Sequence, residues 1–388
     1  MLNRKMIVHS KSVVALSMIM LAMTIISLIS CSSSSDNPPS VVFKFAVTDD
    51  SRAAGGGAIV PGFSTGFGKS NLAQNNGVST VVMAAIANDV ATQGVDFVLF
   101  PGDMITGEIN DSTQIGSEFD TWKAIIAPIY NLPIFAFTTR GNHEYNPGAK
   151  GANNSLDPSR ATYLAHFAMP NNGPADEACL TYSFLWKGVK IIGFDQYANR
   201  TAAFDNTLYA PGSNKGQMMN SWVINEVNNS TAVLNFVMAH EQIWPSMSNP
   251  DCMANDPDSR DALVHALGTH NGTYLAGHDH MYVRGAISNA SGDKVPALVV
   301  GTGGAGNYDF APFDVVSAGY TGPAKYNVQK SLSSSANPVF GYLLVTVYSD
   351  NTWKGEFHGF NFNKWNNATD VSLTPIRIMD AFNSTEVR

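Results

Sequence analysis

Short apolar runs alternate with amphipathic segments along the first half of the chain. The runs at 41–48, 95–100 and 132–137 predict buried strands, because each is short, rich in β-branched or aromatic residues and bounded by turn residues. The segments 79–93 and 119–129 repeat their apolar residues at helical spacing and predict helices between these strands. This alternating order predicts parallel strands joined by right-handed crossovers.

The second half of the chain begins with a short helix after Pro158 and then a hairpin. The apolar runs 180–186 and 189–194 flank Lys187-Gly188 and predict two antiparallel strands. The remaining patterns predict helices at 216–228 and 260–267 and strands at 233–238, 274–276, 295–300, 342–348 and 353–360. The last strands are expected to pair mostly in antiparallel fashion.

Five of the predicted strands end at a residue whose side chain can bind a metal ion. These residues are Asp50, Asp103, Asn142 with His143, His240, and His278 with His280. One such residue is more often a capping or core residue, but five in succession at the same edge of a sheet are hard to explain by capping. Oxygen and imidazole donors without thiolate favour Zn, Fe, Mn or Ca over a structural cysteine-zinc site.

The order of these residues resembles the calcineurin-like metallophosphoesterases, and within them the purple acid phosphatase-like branch. That pattern reads Asp-x-His, Gly-Asp, Gly-Asn-His-Glu, a strand ending in His, and Gly-His-x-His. All but the first of these elements stand here in order, as Gly102-Asp103, Gly141-Asn142-His143-Glu144, His240 and Gly277-His278-Asp279-His280, and Asp50-Ser51-Arg52 stands at the place of the first. The segments 167–174 and 278–284 also resemble that branch. The resemblance implies an α/β fold, a four-layer α-β-β-α sandwich of two mixed sheets flanked by helices.

The resemblance also implies a binuclear centre of two divalent or trivalent metal ions, Fe, Zn or Mn, bridged by Asp103. The implied ligands are Asn142, His240 and His278 for one ion, and Asp50 and His280 for the other. A metal-bound hydroxide would attack phosphorus, His143 would protonate the leaving oxygen, and Glu144 would orient the loop or His143. The expected substrate is a phosphomonoester, carried by a small molecule or a macromolecule. The alternatives are a phosphodiesterase or nucleotidase, and a phosphate- or metal-binding lipoprotein without catalysis.

Two positions depart from the family pattern. Arg52 stands where the family has the histidine of Asp-x-His, and Thr106 stands where purple acid phosphatases have a tyrosine. The second metal site therefore has an open position, a substitute ligand such as Asp49, or Arg52 as a bidentate phosphate clamp; we favour the clamp. Asp49 is also an alternative to Asp50 as the metal ligand, since neighbouring strand residues face opposite ways.

The N-terminus resembles a bacterial lipoprotein signal peptide. Arg4, Lys5 and Lys11 precede an apolar run at 13–29, which leads into Leu28-Ile29-Ser30-Cys31. Cleavage would leave a lipidated Cys31, a tether at 31–40, a phosphoesterase domain at 41–360 and an extension at 361–388. The alternative is an uncleaved transmembrane anchor. Both place the protein outside the cytoplasm and tethered to a membrane, on its periplasmic or cell-surface side.

Composition narrows the class of partner. At 44% hydrophobic and 14% charged residues the chain can bury a large core. Removing the three basic residues of the signal segment changes the formal net charge from −8 to −11, which argues against a nucleic-acid partner. Cys179 and Cys252 could pair or remain free thiols. Oligomeric state is left open, and the loops 52–76 and 199–215 are expected to shape the substrate site.

Overall fold

The structure, a computed structural model, describes residues 38–53, 77–107, 111–145, 158–198, 214–243, 257–306, 325–332, 338–367 and 370–387. Its main compact unit begins at Val41. The strands, in chain order, are β1 Val41–Val47, β2 Phe97–Phe100, β3 Phe135–Thr138, β4 Tyr182–Trp186, β5 Val189–Phe194, β6 Leu234–Ala239, β7 Gly272–Ala276, β8 Tyr282–Ser288, β9 Lys294–Val300, β10 Lys325–Leu332, β11 Val339–Tyr348, β12 Trp353–Asn367, β13 Asp370–Leu373 and β14 Arg377–Asn383. The α-helices are α1 Thr80–Val90, α2 Ser112–Ile125, α3 Ala127–Tyr130, α4 Asn142–Tyr145, α5 Pro158–His166, α6 Asn214–Asn228 and α7 Pro257–Thr269.

These strands form two mixed sheets of seven strands each. The first sheet has the order β13-β12-β11-β1-β2-β3, with β14 also paired to β12. The second has the order β10-β8-β9-β7-β6-β5-β4. The pairs β1–β2 and β2–β3 are parallel, as are β5–β6, β6–β7 and β7–β9, whereas the late strands β11, β12 and β14 pair antiparallel. The parallel start and antiparallel end confirm the expectations from the sequence.

The core lies in three layers around the two sheets. Between the sheets, the Phe45 ring stacks on Phe97 at a centroid distance of 5.1 Å and meets the edge of Phe236 at 5.2 Å. On the outer face of the first sheet, Val98 packs among apolar residues of α1 and α2. On the outer face of the second sheet, Val237 packs among those of α6 and α7. Burial on both faces explains the unbroken apolar runs, and the four-layer sandwich is confirmed.

The helix expected at 119–129 is longer at its start and interrupted near its end. α2 begins at Ser112, because the carboxylate of Asp111 accepts hydrogen bonds from the N–H groups of Thr113 at 2.9 Å and Gln114 at 3.2 Å. The helical run breaks at Ile126, two residues before Pro128, which has no N–H to continue the pattern. The apolar spacing was correct, but the cap and the proline decide the boundaries.

Some strands are shifted from the sequence interpretation or were not predicted. β3 starts at Phe135 rather than at 132, because residues 131–133 form the turn after α3 and include Pro133. The sequence analysis also missed β8, β10, β13 and β14, whose apolar residues are interrupted by polar ones. β12 runs across position 361 and pairs with β14, so the C-terminal residues contribute strands to the first sheet.

Several expectations fall outside the described residues. These are the apolar run at 13–29, Cys31, Cys252 and most of the loops 52–76 and 199–215. Within the described part of the chain, no helix combines the length and apolar character needed to cross a membrane. For Cys179 and Cys252, a disulfide and two free thiols both stay as alternatives.

Candidate metal centre

The polar residues at the strand ends come from both sheets rather than from one. Asp50 follows β1, Asp103 follows β2 and Asn142 opens α4 after β3, all in the first sheet. His240 follows β6, and His278 and His280 follow β7 in the second sheet. The expectation of a single sheet edge was therefore wrong. The carboxyl ends of two stacked sheets meet, and the site lies where they converge.

Four donor atoms define what we call the first cation position: Oδ1 of Asp103, Oδ1 of Asn142, Nε2 of His240 and Nδ1 of His278. Nε2 of His240 lies 3.1 Å from Oδ1 of Asn142 and 3.3 Å from Oδ1 of Asp103. Nδ1 of His278 lies 3.1 Å from Oδ1 of Asn142 and 3.2 Å from Nε2 of His240. A tetrahedral ion with ligands at 2.0–2.2 Å would space its donors about 3.4 Å apart. The four atoms therefore fit one metal ion.

A second cation position lies beside the first and is formed by Asp50, Asp103 and His280. One donor atom from each lies within 4.8 Å of the others, and all three residues are buried. Oδ1 of Asp50 has no hydrogen-bond partner among the described residues and is 3.4 Å from Nε2 of His280. A bound cation or water can compensate the burial of a carboxylate oxygen that accepts no hydrogen bond. Together the two positions are compatible with a dimetal centre that shares Asp103.

Asp103 faces both positions with its two oxygens. Oδ1 points to His240 and accepts a hydrogen bond from the N–H of His143 at 3.0 Å, while Oδ2 lies 3.3 Å from Nε of Arg52. Burial alone would raise the pKa of Asp103, but the positive charges of His240, His143 and Arg52 outweigh it and hold the pKa well below its ordinary value. The side chain is therefore an anion at neutral pH, as a carboxylate that faces two cation positions would be.

The Asp49 carboxylate supports His240. Its Oδ2 lies 3.0 Å from Nδ1 of His240, which directs Nε2 of the ring toward the first position. Asp50 is the residue that faces His280, so the structure separates the roles of the two neighbours. Asp49 also forms a buried group with Asp50 and His240 whose possible ligand atoms lie within 4.8 Å of one another, so the substitute-ligand alternative stays a prediction. Positioning of a ligand by Asp49 was not predicted, although a second acidic residue beside a ligand was the available signal.

The two imidazoles of the first position differ in pKa. Burial alone would lower the pKa of His240, but the carboxylates of Asp103 and Asp49 raise it well above its ordinary value. Burial and the charge of His240 lower the pKa of His278 to about 3, so His278 is neutral and offers a lone pair at pH 7. A metal ion that binds Nε2 of His240 would release the proton held there.

Three of the possible metal ligands have a backbone conformation that residues other than glycine rarely adopt. The φ angles are 59° at Asp50, 45° at Asp103 and 64° at His278. Residues other than glycine cost free energy in this left-handed region, and such strain collects at functional sites where surrounding contacts enforce it. The contacts are present: the N–H of Ala305 donates to the carbonyl of Asp50 at 2.8 Å, and Oδ2 of Asp50 accepts from the N–H of His278 at 2.8 Å.

Tight backbone approach around the centre requires glycine at 141. A Cβ atom added to Gly141 would lie 2.1 Å from Oδ1 of Asp103, closer than any real contact allows. The last three residues of the tetrad at 141–144 lie in a helical turn. The glycine-rich turn at 301–306 lies beside the site, since the carbonyl of Gly306 accepts from Nδ1 of His280 at 2.8 Å.

His143 lies beside the donor atoms without belonging to either position. Its Nδ1 is 2.6 Å from the carbonyl oxygen of Thr106, which can only accept, so Nδ1 carries a proton. Nε2 consequently faces the centre, 3.8 Å from Oδ2 of Asp103. Thr106, which replaces the tyrosine of the purple acid phosphatase pattern, thus fixes the orientation of His143 through its backbone.

Glu144 orients the loops that carry the donors. Its carboxylate accepts hydrogen bonds from the N–H groups of Asp103 at 2.8 Å, Gly141 at 2.8 Å and Ile105 at 3.0 Å. Burial and the charge of Asp103 raise the pKa of Glu144 to about 8 despite these bonds. Of the two roles expected for Glu144, the structure shows loop orientation.

A buried ion pair next to the centre was missed entirely. Nε of Arg140 lies 2.7 Å from Oδ2 of Asp195, and both side chains are fully excluded from solvent. Arg140 precedes the tetrad after β3, and Asp195 follows β5, so the pair joins the ends of the two sheets. Neither residue belongs to a recognisable spacing, and only the meeting of the sheets reveals the pair.

Arg284 and the other described histidines contact residues outside the two cation positions. Arg284 pairs with Asp380 at 2.8 Å and stacks on Phe382, so it supports the sheet rather than the site. The remaining described histidines have local contacts: His166 with Asp120, His265 with Asp293, His270 with the carbonyl of Ala266, and His358 with Tyr342.

Comparison with known proteins identifies the family. A model of the calcineurin-like phosphoesterases matches residues 78–282, more than half of the chain. The search of curated proteins found no match to this chain. A solved structure described as "Structure of PhoD" has 13% identity and a TM-score of 0.49 over 88% of this chain and 74% of that one. A crystal structure of a dimetal phosphatase from Danio rerio has 13% identity and a TM-score of 0.48 over 82% and 96%. On the family match and its Asp/His donor cluster, the chain belongs to the calcineurin-like phosphoesterase family and is a metal-dependent phosphoester hydrolase.

Proposed function

We propose that this protein hydrolyses phosphomonoesters, in the manner of the purple acid phosphatase-like branch, while tethered to a membrane through Cys31. The observation that supports it most is the first cation position. There Nε2 of His240 and Nδ1 of His278 lie 3.1–3.3 Å from neighbouring ligand atoms, beside a histidine, His143, that is not a ligand. A protein that only bound metal would have little use for His143 in that place.

The residues of the centre fit a metal ion by their chemistry. Asp103, Asn142, His240 and His278 would hold an ion at the first position, and Asp50 and His280 extend the donor set. When bound, metal ions neutralise phosphoryl oxygens and lower the pKa of a water ligand. Asp49 and Glu144 keep the donors in place through contacts at 2.8–3.0 Å, so little rearrangement is needed.

His143 is placed to serve the leaving group. The carbonyl of Thr106 holds the Nδ1 proton, so the second proton that a charged His143 carries sits on Nε2, on the side of the centre. From there it can pass to the oxygen that leaves phosphorus, and the nearby Asp103 carboxylate favours the charged ring.

Replacing His143 tests the proposed chemistry. Purified protein from Ser32 onward, loaded with Mn, Zn or Fe, is expected to hydrolyse an aryl phosphate monoester. His143→Ala is expected to lower kcat about 10²–10⁴-fold at unchanged metal content, because it removes an acid but no donor. His265→Ala, on an exposed ring of α7, should leave kcat unchanged. Absence of turnover with every metal, or full turnover in His143→Ala, would contradict the proposal.

Two measurements separate the alternatives. Rates on aryl mono- and diesters measured side by side distinguish a phosphomonoesterase from a phosphodiesterase or nucleotidase, and the proposal requires the monoester to react faster. Metal binding and phosphate affinity without turnover would indicate a binding lipoprotein instead.

Tethering through Cys31 has its own test. In cells fed radiolabelled palmitate, the full chain is expected to incorporate label and to remain with the membrane fraction. Cys31→Ser is expected to abolish labelling, because lipid is attached at that thiol. Equal labelling of the wild type and Cys31→Ser would contradict the proposed lipid attachment but not the assignment as a phosphoesterase.

A further inference from the structure

The buried side chain of Arg52 contacts residues of the second cation position. Its Nη2 lies 3.2 Å from Nε2 of His280, and its Nε lies 3.3 Å from Oδ2 of Asp103. The side chain is only 11% exposed, unlike an arginine in a solvated loop. The guanidinium therefore touches two of the three residues that form this position.

The atom of His280 that meets the guanidinium is the one a metal ion would use. Nδ1 of His280 is 2.8 Å from the carbonyl oxygen of Gly306, which can only accept, so Nδ1 carries the proton. Neutral imidazole then has its lone pair on Nε2. Arginine has donors only, so its N–H can bind that lone pair, and its positive charge faces the Asp103 oxygen.

The backbone holds Arg52 at this place. Its N–H donates to the carbonyl of Asp103 at 3.1 Å, and it forms a β-bridge with Val78. The preceding residue is also tied down, since the Ser51 hydroxyl donates to the carbonyl of Met104 at 3.0 Å and accepts from the Trp122 indole at 3.0 Å. Only rotation of the side chain could move the guanidinium away.

We propose that the guanidinium of Arg52 is the cation at the second position, so that the centre holds one tightly bound metal ion, at the first position. A second ion would need the lone pair of His280 and an oxygen of Asp103, both already in contact with a positive charge that would repel it. The two cation positions are then occupied by a metal ion and a guanidinium. The inference rests on the metal centre of the proposed function but concerns how many ions it contains.

Metal content tests this count without reference to turnover. The full-length protein is stripped with a chelator, reloaded with excess Mn²⁺, freed of unbound ion by gel filtration and analysed for manganese per chain. Wild type is expected to hold one ion and Arg52→His two, because the substituted imidazole removes the charge and adds a donor. Electron paramagnetic resonance should show an uncoupled Mn²⁺ signal in wild type and an exchange-coupled pair in Arg52→His. Arg377→Ala, an exposed arginine of β14, controls for loss of a positive charge and should stay at one ion.

Two further variants keep the test decisive if Arg52→His fails to fold. His280→Ala is expected to keep one ion per chain, whereas His278→Ala should lose it. Two exchange-coupled ions in wild type, with one lost in His280→Ala, would overturn the inference and leave the proposed function standing. A wild-type chain that holds no metal ion would overturn both.

Discussion

Asp103→Asn is expected to lower kcat about a thousandfold and to empty the first cation position. The magnitude is that of removing one preorganised charge from a reaction centre. The carboxylate faces His143 N–H and His240 with one oxygen and the Arg52 guanidinium with the other. An amide has one acceptor oxygen, so its NH₂ group must meet a donor on one side or the other. Metal content and kcat on an aryl phosphate measure the outcome.

The control for Asp103→Asn is a carboxylate remote from the centre. Asp89 lies near the end of α1 and accepts a hydrogen bond from the Tyr342 hydroxyl. The start of α1 is the end near the site, since the N–H of Ser79 donates to the carbonyl of Ser51 there. Asp89→Asn should leave kcat and metal content as in wild type. A kcat for Asp103→Asn within about tenfold of wild type, at full metal content, would show that this carboxylate is not a shared ligand.

Breaking the buried Arg140–Asp195 pair is expected to cost about 3–5 kcal/mol of unfolding free energy. Arg140→Met leaves the Asp195 carboxylate buried with the N–H of Tyr197 at 2.8 Å as its remaining described partner, which does not neutralise the charge. Urea unfolding of the metal-free protein measures the change without a contribution from metal binding. The same variant should also bind metal less tightly, because Arg140 lies next to the tetrad.

The double variant Arg140→Met, Asp195→Leu separates charge burial from shape. It is expected to recover most of the lost stability, since apolar residues can replace a buried ion pair at little cost. If Arg140→Met alone lost under about 1 kcal/mol, the pair would resemble exposed ion pairs, and its role in joining the sheets would be refuted.

The residue types of the site could be predicted because strand ends are visible in a sequence. An apolar run that stops at Asp103, His240 or His278 places a donor at a carboxyl end, and parallel strands bring such ends together. Arg52 was also recognised as the unusual residue. The direction of the Arg52 side chain was not predictable, because it depends on the tertiary contacts that hold Ser51 and the Arg52 backbone in place.

The sequence by itself determined the alternation of strands and helices in the first half of the chain and the residue types at the strand ends, because these follow from local apolar periodicity. The four-layer class came from the resemblance to the family. Only the tertiary structure decided that two sheets, not one edge, supply the donors, and that Asp49 supports His240 while Asp50 faces His280. It also decided that Glu144 binds three backbone N–H groups and that Arg140 meets Asp195. These contacts join residues distant in the chain, and their directions depend on strained φ angles at Asp50, Asp103 and His278 that no local pattern specifies.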